Sequence, residues 1–192
     1  MTEHGLDLSD DFTGRPGAAF VIGGSGGLGA AVVRELAARG SDVAFTYRQN
    51  EASAAQLAQT VSDLGRQAWT IELDLRNHDG CAQAIDAIAE AAGGIHTLVY
   101  AAGPHVPQKH LSKVTPAEMQ EQLDADASGF FAVASPVLPH LRQTEGSIVA
   151  VTTAATRRYP VRDGLSSIPK AAVEAAVRGI AAEEGRFGVR AN

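Results

Sequence analysis

One stretch constrains this chain more than any other: Gly23-Gly24-Ser25-Gly26-Gly27-Leu28-Gly29. It follows the short apolar run Ala18-Ala19-Phe20-Val21-Ile22, which reads as a buried strand. It opens a segment in which Leu28, Val32 and Leu36 recur every four residues, a helical stripe that Gly40 ends. Gly24, Gly26 and Gly29 satisfy G-x-G-x-x-G, while Gly23, Gly27 and Gly29 satisfy G-x-x-x-G-x-G. Either spacing serves one physical purpose. The backbone turns sharply, comes close to a pyrophosphate with no side chain between, and hands over to a helix whose first N–H groups are unpaired. A flexible glycine turn is the plainer explanation of such a loop. Its position between a first strand and a first helix favours nucleotide binding, and the missing Lys-Ser/Thr excludes a Walker loop.

The pattern then alternates. Strands are expected at 43–47, 68–73, 95–100 and 147–152, and helices at 51–64, 78–92 and about 166–185, with a sixth strand beginning near 188–192. Thr115-Pro116-Ala117-Glu118 is a strong helix start, with a capping threonine, proline in the first turn and glutamate three residues after the cap. That helix should turn Met119, Leu123, Phe130 and Ala134 inward and bend or break near Pro136 and Pro139. Alternating strands and helices imply an α/β fold: a three-layer, Rossmann-like, doubly wound parallel sheet. Residues 1–17 read as a loose lead-in and 18–192 as one dinucleotide-binding domain with its C-terminal strand or strands missing.

With Lys plus Arg at 16 and Asp plus Glu at 22, the net charge is −6, which argues against general nucleic-acid or anionic-membrane binding. Cys81 is the only cysteine and has no internal disulfide partner. No metal-ligand spacing stands out. No signal-type leader and no apolar run of membrane length is visible, so the expected location is cytoplasmic.

The end of the second strand bears on the cofactor. A site for NAD usually carries Asp or Glu there to bond the ribose hydroxyls. This chain has Thr46-Tyr47-Arg48, with Asp42 at the opposite end of the strand. Arg48 suits bidentate pairing with a 2′-phosphate, so NADP(H) is favoured over NAD(H).

Further motifs follow in order. Asp74-Leu75 comes after the third strand and Ala101-Ala102-Gly103 after the fourth. Gly146-Ser147-Ile148-Val149 forms the fifth strand, Lys170-Ala171-Ala172-Val173 lies on the last helix, and Val189-Arg190-Ala191-Asn192 follows it. Across residues 18–192 this series resembles the short-chain dehydrogenase/reductase family, and within it the 3-oxoacyl carrier-protein reductase-like subgroup. The resemblance implies an NADP(H)-dependent oxidoreductase acting on a small carbonyl, hydroxyl or acyl substrate. It implies that Gly23, Ser25, Gly26, Gly27, Leu28, Gly29, Arg48, Asp74, Leu75, Ala101, Ala102, Gly103 and Lys170 hold the cofactor. It also implies homo-oligomers built through the helices at 115–143 and 166–185. Family members continue past this point with a substrate loop, a helix and a seventh strand, so the chain reads as a fragment or as a short form.

The catalytic set departs from the family's. An Asn, a Ser, a Tyr and a Lys act together there; the matching positions here are Asp126, Thr153, Ser166 and Lys170. Thr153 keeps a hydroxyl that can orient a carbonyl. Asp126 shares the inward face of Leu123 and Phe130 and needs a partner, for which Lys170 is suited. Ser166 lies four residues before Lys170 but is a far poorer acid than a phenol. Pro169, just before Lys170, is expected to shift the helix start. Tyr100 replaces the first Asn-like residue of the fourth-strand turn. Tyr159 and His105 are candidates for a rescuing acid, although loop residues of these types are more often packing or surface groups. Arg157, Arg158 and Arg162 form a basic loop that either attracts an anionic acyl carrier or carboxylated substrate, or is simply solvated. Three readings remain: an oxidoreductase, a nucleotide-binding scaffold that has lost proton transfer, and a purely structural subunit, which would not need the glycine loop.

Overall fold

The computed structural model describes residues 11–192; residues 1–10 of the expected lead-in lie outside them. Six strands form one parallel sheet in the order β3-β2-β1-β4-β5-β6. They are β1 (Ala18–Ile22), β2 (Asp42–Tyr47), β3 (Ala68–Glu72), β4 (Ile95–Tyr100), β5 (Ser147–Ala150) and β6 (Arg190–Ala191). The helices are α1 (Gly27–Ala38), α2 (Glu51–Asp63), α3 (His78–Ala92), α4 (Pro116–Leu123), α5 (Gly129–Thr144) and α6 (Gly164–Glu184). The order reverses between β1 and β4, which opens a crevice at the carboxyl ends of the strands, where sheets of this kind bind ligands.

Period-two alternation assigns the two faces. Phe20, Ile22, Leu98, Tyr100 and Ile148 point to one side, against Cys81, Ile85 and Ile88 of α3, Val133, Val137 and Leu141 of α5, and Val173, Val177 and Ile180 of α6. Val21, Val43, Phe45 and Val99 point to the other, against Val33 and Ala37 of α1 and Ala54, Leu57 and Val61 of α2. All five residues of β1, on both faces of the sheet, are at 0% exposure, which is why it reads as an unbroken apolar run.

Four local expectations need correction. The buried line of α1 is Gly29, Val33 and Ala37, one residue out of phase with Leu28, Val32 and Leu36. On α4 the buried residue is Gln122, while Met119 and Leu123 are only half-buried. The helix does not break at Pro136 or Pro139. Both lie inside α5, where exposed Ser135 and half-buried Ala132 leave room for water at the carbonyls that lose a donor. The irregularity comes earlier, in a π-turn at Asp124–Ser128. Likewise α6 starts at Gly164 and runs through Pro169, so that proline does not set its start.

The part of the lead-in that is described is packed. Phe12 stacks on buried His96 with ring centroids 5.3 Å apart, and its N–H donates to the Arg39 carbonyl. Asp11 pairs with Arg39 at 3.3 Å. Among the described residues no helix is long and apolar enough to cross a membrane.

Candidate active site

The glycine loop forms one wall of a cleft of about 270 Å3 at the β1/β4 switch point. Gly23 sits at φ +77°, and a Cβ there would come 2.9 Å from the Ala102 backbone. Any other residue would be strained in conformation and blocked by main chain. Gly29 packs onto the Gly23 carbonyl so closely that a side chain would collide with it. Thr46 braces the loop from β2: its Oγ1 accepts from the Gly23 N–H at 2.8 Å, and its carbonyl accepts from the Ser25 N–H at 3.3 Å. The first turn of α1 has neither a side-chain cap nor an acidic residue. Its free N–H groups and positive dipole end begin one residue after Gly26, which lines the cleft, so the helix start lies at the cleft's edge, a place suited to a phosphate.

The rest of the cleft is built from other strand ends. Arg48 and Tyr47 line it from β2, Leu73, Asp74, Leu75 and Arg76 from β3, and Ala101, Ala102, Gly103 and Pro104 from β4. No acid follows β2, and Arg48 is exposed. Asp74 accepts from the Arg76 N–H at 3.1 Å and lies 3.7 Å from its guanidinium. Arg76 was missed in the sequence; its signal was its place two residues after Asp74. Gly27, Leu28 and Gly29 do not line this cleft, and Leu28 is 66% exposed. These residues shape the turn and the helix start instead.

A buried polar cluster lies behind Ala102. The π-turn directs Asp126 inward, where it is 3% exposed. Lys170 Nζ, carried inward by α6, donates to Asp126 Oδ1 at 2.9 Å and to the Ala102 carbonyl at 3.2 Å. The same ammonium lies 5.1 Å from the centroid of the Tyr100 ring. Tyr100 donates its hydroxyl to the Asp126 carbonyl at 3.0 Å and to Asp126 Oδ1 at 3.2 Å. Burial, reinforced by the Asp126 carboxylate, pushes the Tyr100 phenol well above its ordinary pKa. Tyr100 is thus a structural donor with no exposed surface, unsuited to replace a catalytic phenol. A lysine ammonium has three N–H donors, and two are engaged in these bonds, so one is left for the cleft beside Gly103.

The remaining candidates are not drawn into this cluster. Thr153 Oγ1 accepts from the Ala155 N–H at 3.2 Å and caps a short 3-10 turn. Thr153 lines a separate depression with Thr152, Thr156, Arg157 and Glu174. Hydrogen bonding from Thr156 holds the Glu174 carboxyl below its ordinary pKa. Ser166 is half-buried in the first turn of α6, and its N–H donates to the Asp163 carbonyl. Among the described residues no hydrogen bond joins Ser166 or Thr153 to Lys170. Tyr159 is 49% exposed and reaches only the start of α6 beside Gly164. His105 contributes its carbonyl to Gln122 Nε2 at 3.4 Å. No group of three or more His, Cys, Asp or Glu side chains suited to a metal ion occurs among the described residues.

A sequence profile of the family described as enoyl-(acyl carrier protein) reductase matches residues 23–192. The chain belongs to the short-chain dehydrogenase/reductase family. It is 30% identical over 183 residues to the uncharacterized oxidoreductase YmfI of Bacillus subtilis, covering 91% of this chain and 71% of that one. It is also similar to a short-chain dehydrogenase from Burkholderia cenocepacia solved in complex with NADP. That match has 31% identity and a TM-score of 0.86 over 92% of this chain and 71% of the other. Carveol dehydrogenase from Mycobacterium avium, solved with NAD, matches at 25% identity and a TM-score of 0.87, over 94% of this chain and 69% of that one. This chain therefore spans about 70% of the length of these relatives.

Proposed function

We propose that this chain is a ketoreductase-like oxidoreductase that binds NADP(H) in the β1/β4 cleft and acts on a small carbonyl or hydroxyl compound. The observation that carries this reading is the cleft itself. A glycine held flush against the Ala102 backbone meets an uncapped helix start on one side and Arg48, with no acid beside it at the end of β2, on the other. The residues present fit a dinucleotide, since the loop leaves no Cβ in the path of a pyrophosphate.

When bound, the cofactor supplies or accepts the hydride. The chain's own groups have defined parts. Gly23, Ser25 and Gly26, backed by the dipole of α1, hold the phosphates, with Gly27, Leu28 and Gly29 setting the turn. Arg48 pairs with the 2′-phosphate, with Arg76 beside it. Asp74 and Leu75 border the adenine, and Ala101, Ala102 and Gly103 form the floor. The remaining donor of Lys170 holds the ribose, Thr153 orients the substrate oxygen, and Asp126 fixes the lysine. Proton delivery falls to Ser166 or to water near it, a weak acid in either case. Phe131, 56% exposed on α5, and Ile168, 40% exposed on α6, support self-association through these helices.

A second reading has an observation of its own. The Asp126–Lys170 pair offsets the ammonium charge that would make a neighbouring hydroxyl more acidic, and no phenol stands four residues before the lysine. A nucleotide-binding scaffold with little turnover is the alternative. The test is Ser166→Tyr, assayed for NADPH oxidation with a panel of ketones and acyl thioesters. Positioned proton transfer contributes about 10²–10⁴-fold, so a restored phenol should raise turnover well above the wild type. No gain despite NADPH binding would favour the scaffold.

A further inference from the structure

A second cavity, of about 540 Å3, opens beyond the N-terminus of α6 and is lined by Gln108, Lys109, His110, Lys113 and Arg162. We propose that this pocket holds the anionic end of the substrate: a phosphate or carboxylate on an apolar chain whose carbonyl reaches the site beside Lys170. The proposal rests on the oxidoreductase reading above and names the substrate class for it.

Three features of different kinds converge here. The first is charge. In a chain of net charge −6, the pocket gathers Lys109, Lys113 and Arg162, with His110 beside them. Two acids lie nearby, and both are engaged. Glu118 pairs with Lys109 while closing the cap of α4, and Asp163 accepts from Gln108 Nε2 at 3.3 Å. Lys113 and Arg162 have no ion pair among the described residues.

The second feature is the backbone. The two rims are joined by a parallel bridge between Lys109 and Asp163, so the pocket does not depend on two independent loops. Arg162 is held at φ +74°, a conformation that L side chains rarely adopt. Because Asp163 faces Gln108, the 21-residue helix α6 has no side-chain cap and no acid in its first turn.

The third is the apolar border. Leu111, Tyr159 and Val161 are 47%, 49% and 69% exposed. Leu111 and Tyr159 pack at Gly164, two residues before Ser166 and six before Lys170. A ligand with an anionic head and an apolar body matches this sequence of surfaces from the pocket to the catalytic positions. An ordinary solvated basic face would need neither the bridge nor the left-handed arginine.

The test uses the isotopically labelled chain saturated with NADPH, so that the cofactor cleft is filled. Inorganic phosphate and acetate are titrated separately at constant ionic strength and followed by amide chemical shifts. The expected result is saturable shifts at residues 108–113 and 162–166 with one or both anions; which of them saturates identifies the head group. Lys113→Gln and Arg162→Gln should each weaken that binding several-fold and together by tenfold or more. Arg34→Gln, which removes a charge from exposed α1, should leave it unchanged. Linear, unsaturable shifts, or binding indifferent to both pocket variants, would overturn the proposal. So would saturation by an acidic carrier protein when neither free anion binds. NADPH affinity and ketone turnover are read in parallel. Anion binding without turnover sinks the oxidoreductase reading and leaves the pocket; turnover whose KM for anionic substrates ignores Lys113 and Arg162 does the reverse.

Discussion

Removing one member of the Asp126–Lys170 pair should be among the most destabilising changes available outside the apolar core. The side chains are 13% exposed for Lys170 and 4% for Asp126, and they meet at 2.9 Å. Without Asp126, the ammonium keeps only the Ala102 carbonyl and the face of Tyr100. Without Lys170, the carboxylate keeps only the Tyr100 hydroxyl. Breaking a buried pair from one side costs about 3–5 kcal/mol, because the surviving charge is left uncompensated. For a chain of 192 residues each kcal/mol corresponds to roughly 2–4 °C, so Asp126→Leu and Lys170→Met should each lower Tm by about 6–20 °C. The double variant Asp126→Leu/Lys170→Met leaves no charge stranded and substitutes apolar groups of similar volume. It should therefore recover most of the loss, with a coupling of about 3 kcal/mol. Urea unfolding of the four proteins at pH 7 measures this. Additive losses in the double variant would refute the claim that the two residues act as one buried unit.

Other outcomes follow from the same structure. Gly23→Ala should abolish saturable NADPH binding, read by cofactor fluorescence, because its methyl would meet the Ala102 backbone at 2.9 Å; undiminished affinity would mean the phosphates bind elsewhere. Burial, together with the Arg15 charge, lowers His96 from its ordinary 6.5 to about 4. The folded state resists a proton that the unfolded chain accepts. About 3 kcal/mol of stability is therefore present above pH 6.5 and lost as pH falls to about 4. Unfolding at pH 7 and pH 4 should show this loss in the wild type and a smaller one in His96→Gln; equal losses would contradict it.

How far the sequence could be read depended on the range of the interactions involved. The strands of the sheet were legible because doubly buried strands are rich in apolar and β-branched residues, as in the unbroken run Ala18–Ile22 and in Ile95–Tyr100, where only His96 and Thr97 interrupt it. The phase of α1 was not. Leu28 looks like a core residue by spacing, but it is 66% exposed in the first turn of α1, and the tight packing of Gly29 sets the buried line. Asp124–Ser128 carries no local signal for a π-turn, whereas Pro136 and Pro139 carry a strong signal for a break that does not occur. The glycine loop, Arg48 and Asp74 could be placed in the cleft from strand ends alone. The pairing of Asp126 with Lys170 followed from the cost of a buried carboxylate. Its tie to Tyr100, 26 residues away, had no local trace, and neither did the stacking of Phe12 on His96.

The proposed NADP(H) site in the β1/β4 cleft stands or falls on Arg48. The direct measurement is a parallel titration of the wild type and Arg48→Ala with NADPH and NADH, followed by cofactor fluorescence. The wild type should bind NADPH more tightly than NADH. In Arg48→Ala, NADPH should lose affinity by roughly tenfold or more, the scale of a charge-assisted hydrogen bond to phosphate, while NADH is little changed. Equal affinities for the two cofactors in the wild type, or a gap that survives Arg48→Ala, would contradict it.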